Sequence, residues 1–402
     1  MSRSVWLVVL CSGTVLGLVL GVRHSLGLFL TPISVELDMG FGVFALALGL
    51  MNLVWGLISP FAGAIADRHG AGRVVVVGGL CYAAGLLLLT VSGDGEQLLL
   101  GGILIGLGLS GGGFSVVLGA AGRAAPPEHR SKALGIVTMV GSLGQFVALP
   151  FMHAMIGGLG WGASLMVAAA IMLVMVPLAS GVAGRPTGGA EGGQTLREAL
   201  AEARDERGFW LLNAGFFVCG FHLAFVGVHL PSYLANQGFA SWLAATGLTL
   251  VGLFNAVGSY IFGALGGRYS KKTMLSLLYL SRAAIFLAFL VVPLTEASVL
   301  IFSAVIGFVW LGTVPLTSGL VATIFGTTYL STLFGIVFVS HQIGSFFGSW
   351  LGGFVFDTVG SYEVMWWVNV ALALLSAALH WPIAERPKPR LAAAQSAQRR
   401  VA

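Results

Sequence analysis

The stretch GAIADRHGAGR, residues 63–73, decides how this chain is read. It breaks a long apolar run with Asp67, Arg68, His69 and Arg73, and it is loosened by Gly63, Gly70 and Gly72. Gly63 lies one helical turn before Asp67, so a second helix can pack closely on that face. Asp67 ends the apolar run, where a carboxylate can meet the positive end of a neighbouring helix. Roughly 200 residues later the chain repeats the pattern as GALGGRYSKK (263–272). Arg268 recurs there in the place of Arg68, and Gly267 stands where Asp67 would be. A tight basic turn that appears twice between apolar runs implies a duplicated, membrane-embedded chain.

The composition supports this. Of the 402 residues, 57% are hydrophobic and only 9% charged, whereas a soluble domain carries about 25% charged residues. Apolar runs of about 20 residues span a bilayer as helices, and the 59 glycines suit closely packed transmembrane helices. The three cysteines, Cys11, Cys81 and Cys219, sit in separate apolar segments and read as packing residues, so neither a disulfide nor a metal site is expected. No cofactor is expected. The first apolar run is too long for a signal-peptide core and no A-x-A site follows it, so it reads as an uncleaved first span.

Breaking the runs at charges, turns and polar clusters gives twelve spans, at roughly 5–31, 41–66, 73–92, 98–122, 131–157, 162–183, 209–235, 242–266, 273–293, 297–324, 331–356 and 363–384. With the N-terminus inside, 18 of the 20 Lys and Arg fall in cytoplasmic segments, and the other two, Arg23 and Arg282, lie within spans. The outer loops carry acids instead, among them Glu36, Asp38, Asp94 and Glu96. The positive-inside rule then places both ends in the cytoplasm. The basic excess reports topology, and nucleic acid is not an expected partner. The expected organisation is an all-α membrane protein: a six-helix bundle over 1–183, a cytoplasmic linker over 184–208, a second bundle over 209–385 and a basic tail over 386–402. The linker closes on TLREALAEARDE, which reads as a short amphipathic helix capped by Thr195 with Glu198 three residues on.

The halves match beyond the turn. SKALGIVTMVGSLG (131–144) faces STLFGIVFVSHQIG (331–344), and Pro32 aligns with Pro231. Repeated halves with a site between them are a transporter signature. On these motifs the chain resembles the major facilitator superfamily over nearly its whole length. The resemblance implies two pseudo-symmetric six-helix bundles and a central site lined by spans 1, 4, 7 and 10. It also implies that Gly63, Asp67, Arg68, Arg73 and, in the second copy, Arg268 form a gating loop. Within the superfamily, GVRHSLGLFLTPIS (21–34), followed by a tryptophan-bearing span 2, resembles the monocarboxylate transporter group and its bacterial relatives. That group usually has Lys where His24 stands, and an Asp and an Arg in span 8 where Asn255 and Ser259 align.

The charges inside the membrane point to the cargo. None of the 15 acidic residues lies deep in a span. The deep charged or titratable groups are Arg23, His24, His153, His222, His229, Arg282 and His341. A central arginine costs about 2.5–3.5 kcal/mol on insertion scales, and with no buried carboxylate to neutralise it, Arg23 can pair with a substrate carboxylate or snorkel to the outer interface. With the prolines aligned, His222 is the image of Arg23 (231 − 32 = 222 − 23 = 199), so the two are expected to approach the cleft from opposite halves. His24 lies about 100° from Arg23 around the helix. It and His341 and His222 are candidates for proton coupling. His222, Phe225, Val226, His229 and Tyr233 share one face of span 7, which is either functional or a packed face with its histidines on carbonyls. Asn255 and His341, with Trp310, Thr313 and Thr317 on one face of span 10, complete the expected substrate pocket. Arg282, deep in span 9, reads as structural, and His153 as interfacial.

The expected function is therefore secondary active transport of a small organic anion, a carboxylate, by alternating access with proton coupling. The expected carrier is a monomer in a plasma membrane, here a bacterial inner membrane, with the anion, protons and the lipid bilayer as its partners. No catalytic residue is assigned: the sequence has no H-E-x-x-H motif, nucleotide loop or buried carboxylate pair. Two alternatives stay open: an exporter of amphipathic or toxic compounds, and a non-transporting solute sensor. The exporter reading lacks the acid in span 1 and the Gly-Pro in span 5 that such carriers usually have.

Overall fold

The computed structural model describes residues 3–29, 32–33, 36–38, 41–182 and 194–391. Eleven apolar helical stretches among them are long enough to cross a bilayer. One of these, Pro127–Val182, is 56 residues long. Its main helix, Arg130–Leu173, leaves helical geometry at Gly160 (φ 78°, ψ 168°). A straight helix of that length would run about 65 Å, twice the hydrocarbon core. Only glycine takes this positive φ readily, so the chain turns there and crosses twice, which gives twelve spans.

Span 1 is Arg3–Ser25, continued by a 3₁₀ turn over Leu26–Phe29, and spans 2 and 3 are Phe41–His69 and Ala71–Thr90. Span 4 is two helices, Gly95–Gly112 and Phe114–Ala124. Spans 5 and 6 lie on either side of Gly160, and Met175–Val182 completes the second of them. Spans 7, 8 and 9 are Arg207–Asn236, Ser241–Leu265 and Lys271–Val291. Span 10 is again two helices, Glu296–Phe308 and Thr313–Phe325, and spans 11 and 12 are Leu330–Val359 and Glu363–His380. The breaks in spans 4 and 10 centre on Gly113 and Gly312, one repeat apart (312 − 113 = 199). Sequence periodicity treats span 10 as continuous and puts Trp310, Thr313 and Thr317 on one face. The structure corrects this: Trp310 lies in the non-helical break, and only Thr313 and Thr317 share a helix.

Alternation of the spans separates a basic end, which holds the turn at 70, from an acidic end. At the acidic end Trp161 Nε1 donates to Glu36 (2.5 Å), which ties the turn between spans 5 and 6 to the loop after span 1. The two halves meet through spans 2 and 11 and through spans 5 and 8. Gly63 packs on the Ser331 carbonyl, and its image Gly263 on that of Ser131; a Cβ at Gly263 would lie 3.0 Å from that oxygen. Each number differs from its image by 200, so the duplication seen in the sequence is a pseudo-twofold contact in space.

At the basic end the capping box forms as expected: Thr195 Oγ1 accepts from the Glu198 amide, and Glu198 accepts from the Thr195 amide (2.7 Å). These bonds hold the Glu198 carboxyl below its ordinary range. The chain after span 12 ties the basic end together: Arg390 pairs with Glu202 of this linker helix (Leu196–Arg204), Lys388 with Glu206 at the start of span 7, and Glu385 with Lys271 of span 9. Residues 183–193 and 392–402, parts of the expected linker and tail, lie outside the described residues.

Candidate functional site

Arg23 stands near the end of span 1, half-buried against span 2. Its Nε and Nη2 both donate to Asn52 Oδ1, at 3.1 and 2.7 Å. Asn52 is oriented by its own bond to the Leu48 carbonyl (2.9 Å), one turn back on span 2. The guanidinium lies over the Trp55 ring, 5.1 Å from its centroid, a cation–π arrangement. His24 Nδ1 is 2.8 Å from the Leu20 carbonyl and must donate to it. The neutral ring then presents Nε2 as an acceptor, 3.4 Å from Arg23 Nη1. Arg23 thus has three neutral neighbours. No carboxylate among the described residues forms an ion pair with it.

Span 11 joins this cluster from the other half. Gln342 Nε2 donates to the Asn52 carbonyl (3.1 Å), and His341 Nδ1 lies 3.1 Å from Gln342 Oε1. Below them the rings of Trp55 and Phe338 (4.9 Å) and of Phe338 and His341 (5.2 Å) carry an aromatic layer across the interface. The indole Nε1 of Trp55 is buried without a partner and faces Gly113, where a Cβ would lie 2.7 Å from it. It therefore points at the N-terminus of the second half of span 4. The other interface between the halves carries a polar contact of its own: Asn255 Nδ2 donates to Ser142 Oγ (2.9 Å) between spans 8 and 5. Ser142 and Gln342 are 200 residues apart. Asn255 Oδ1 also accepts the Leu311 amide (2.9 Å), so this residue supports the break in span 10.

The structure does not bring Arg23 and His222 together. His222 Nε2 bonds the Asn369 carbonyl of span 12 (3.1 Å), and its ring packs on Phe286 of span 9 (5.0 Å). His229 bonds the Ser349 carbonyl (2.7 Å), and Tyr233 packs on Phe289, Tyr362 and Trp366. The common face of span 7 exists, but it is packed within the second half with its histidines on carbonyls. Thr313 bonds Cys219 (3.3 Å), and Trp310 and Thr317 are buried. Arg282 is fully buried on the carbonyls of Val309 and Trp310, while His153 is exposed. Asn52 and Trp55 were not singled out from the sequence, nor was His380, which is buried and bonded to the Ser376 carbonyl (2.8 Å). The available signal for Asn52 was one amide in the apolar run of span 2.

At the basic end Asp67 is buried. Its carboxylate accepts the amides of Ser331 (3.3 Å) and Thr332 (2.8 Å) and the Thr332 hydroxyl (2.7 Å). Those amides open span 11 and lack intrahelical acceptors, so Asp67 caps that helix at its positive end. Arg123 of span 4, which the sequence did not single out, pairs with Asp67 and donates to Ser331 Oγ (3.1 Å). Gly267, the image of Asp67, has no side-chain acceptor to offer. Arg68, Arg73 and Arg268 are exposed around this closed end.

Comparison with known proteins agrees with this architecture. The family model described as Major Facilitator Superfamily matches residues 5–330. Monocarboxylate transporter 13 of Rattus norvegicus is 24% identical, with 92% of this chain and 86% of that protein covered. The Oxalate:formate antiporter of Oxalobacter formigenes is 22% identical, with 88% and 86% covered. Among solved structures, the E. coli fucose:proton symporter FucP superposes with a TM-score of 0.71 at 18% identity, covering 94% of this chain and 99% of that one. The twelve helices, the duplicated halves and the Asp67-capped span 11 are thus those of a carrier, and the chain belongs to the Major Facilitator Superfamily.

Proposed function

We propose that this chain is a secondary active transporter of a small organic anion, a carboxylate, and that Arg23 holds the anion. The observation that carries the reading is the environment of Arg23. It bonds Asn52, the residue whose carbonyl meets Gln342 of the other half, its neighbours are the neutral Asn52, His24 and Trp55, and no described carboxylate balances its charge. The indole N–H of Trp55 and the start of the second half-helix of span 4 are further donors on the same side, as suits an anionic group. Relatives named for monocarboxylates and for oxalate–formate exchange support the same cargo class.

The halves rock about this layer. Gln342, His341 and Asn255 report the state of one half to the other, and the loop with Asp67 latches the basic end. The positive-inside rule puts that end in the cytoplasm, with both chain termini, and the relatives from bacteria fit a bacterial inner membrane. Proton coupling falls to His24 and His341, the two histidines at the Arg23 layer; His222 serves the packing of the second half. Uptake into proteoliposomes, measured for a panel of mono- and dicarboxylates with and without an imposed pH gradient, tests the proposal. Accumulation of a carboxylate that rises with the gradient supports it. Transport of organic cations alone, or no solute movement at all, overturns it.

A further inference from the structure

Arg282 poses a charge problem that the transport site does not solve. It is fully buried in span 9. Nε and Nη2 donate to the Val309 carbonyl (3.2 and 3.0 Å), Nη2 also reaches the Trp310 carbonyl, and Nη1 has no partner. The guanidinium lies 5.1 Å from the Tyr279 ring centroid. No described carboxylate pairs with it. A buried charge is tolerated when it is paired, and two carbonyl dipoles supply no countercharge.

One group in contact with the guanidinium can. Cys219 Sγ of span 7 lies 3.8 Å from Arg282 Nη2 and 3.3 Å from Thr313 Oγ1 of span 10. Arginine is donor-only, so Cys219 accepts from it; a neutral thiol can give its S–H to Thr313 Oγ1, but only an anionic sulfur also supplies the missing countercharge. The other titratable groups around this layer are neutral or cationic acids. Span 9 contributes Tyr279, whose hydroxyl has no partner, and span 11 contributes His341. His380 of span 12 stacks on Tyr279 (5.1 Å), and His222 lies one turn along span 7 on a carbonyl. None of these supplies a second fixed negative charge.

We propose that Cys219 is held as a thiolate, the internal counter-ion of Arg282, and that this pair pins the break in span 10. Arg282 holds the carbonyls that close the first half-helix, Thr313 opens the second, and Cys219 binds both residues. Cys219 is thereby a positioning residue, which does not touch Arg23 itself.

The test uses full-length protein carrying Cys11→Ser and Cys81→Ser, which leaves Cys219 as its one thiol. The expected infrared spectrum of the folded protein at neutral pH has no S–H stretching band. The band should appear on unfolding at the same pH, because a free cysteine with a pKa of about 8.5 is then mostly protonated. An S–H band in the folded protein overturns the proposal. Thermal melts give a second reading. Cys219→Asp, which keeps a negative charge in a similar volume, should melt closer to wild type than Cys219→Ser, which cannot carry one. A serine variant that is as stable as wild type, or more stable than the aspartate variant, also overturns it.

Discussion

Asp67→Asn tests the closed basic end directly. The Asp67 side chain is fully buried and its partner Arg123 is 13% exposed, so solvent screens the pair little. Asparagine removes the charge and turns an amide N–H₂ toward donors that now face an oxygen: the Thr332 amide and hydroxyl, or the Arg123 guanidinium. Breaking a buried pair by removing one partner costs about 3–5 kcal/mol. At about 1.4 kcal/mol per decade, that is a shift of roughly 10²-fold to a few 10³-fold against the conformation in which spans 2, 4 and 11 meet. The reporter lies in the contact itself. The Ser331 and Thr332 amides have no helical acceptor, so their hydrogen exchange measures opening of this latch. Exchange–mass spectrometry on purified Asp67→Asn protein should show faster exchange at these two amides by about that factor, up to the limit set by opening of the whole end. Amides in the middle of span 11 should change far less. Unchanged exchange at Ser331 and Thr332 would refute the reasoning.

Three further outcomes follow from the geometry. Arg23→Lys cannot hold Asn52 through two N–H groups while lying flat on Trp55; losing one charge-assisted hydrogen bond of about 1.5–3 kcal/mol should raise the half-saturating carboxylate concentration roughly tenfold to a hundredfold, and normal uptake at unchanged affinity removes Arg23 from the site. Gly135→Val puts a Cβ 2.8 Å from Gly263 Cα between spans 5 and 8; transport should be lost in protein that still melts cooperatively, and wild-type transport rates would show that this approach is dispensable. The Lys388 ammonium beside Glu206 holds that carboxyl below its ordinary range. Its stabilising contribution is therefore present above the ordinary carboxylate range and lost as pH falls through the depressed value. For a pair this exposed it is about 0.2–1 kcal/mol, so proteolysis within residues 386–391 should rise on acidification in wild type and stay flat in Glu206→Gln.

Lipid makes some of this fold easy to read in sequence. Because the bilayer requires continuous apolar helices, the twelve spans show plainly, and the gap between the expected spans 5 and 6 falls on Gly160, the residue that turns. The breaks in spans 4 and 10 do not show. Helical periodicity runs on through Trp310, and what holds the break is tertiary: Arg282 takes the Val309 and Trp310 carbonyls within it and Asn255 takes the Leu311 amide. The same limit applies to the site. Periodicity grouped His222, Phe225, His229 and Tyr233 correctly, but it carries no information on which neighbour that face meets. Here it meets Trp366, Phe289 and Tyr362 inside the second half. The repeat placed His222 opposite Arg23 in register, yet a pseudo-twofold relates backbones and leaves side chains free to differ. Asn52 and Arg123 stayed hidden because a single polar residue in an apolar run gains meaning only from its partner.

The differences between the images then become informative. Gly63 on Ser331 and Gly263 on Ser131 are the same backbone contact made twice. One copy is overlaid by a buried carboxylate, a guanidinium and two capped amides. The other has Gly267, which brings no carboxylate to that contact. Opening the basic end therefore meets unequal resistance: the span 2–11 side must release a charged latch, while the span 5–8 side parts at apposed glycines, Gly135 and Gly263. The layer above is unequal in the same sense. Asn52 serves both Arg23 and Gln342, whereas Asn255 of span 8 is committed to Ser142 and to the break in span 10. Charge thus gathers along spans 1, 2, 4 and 11. A cargo that draws Arg23 from Asn52 acts on the same helix, span 2, that carries Asp67. That shared helix is the shortest covalent route from Arg23 to the latch, and under the proposed function it would tie release of the basic end to occupancy of Arg23.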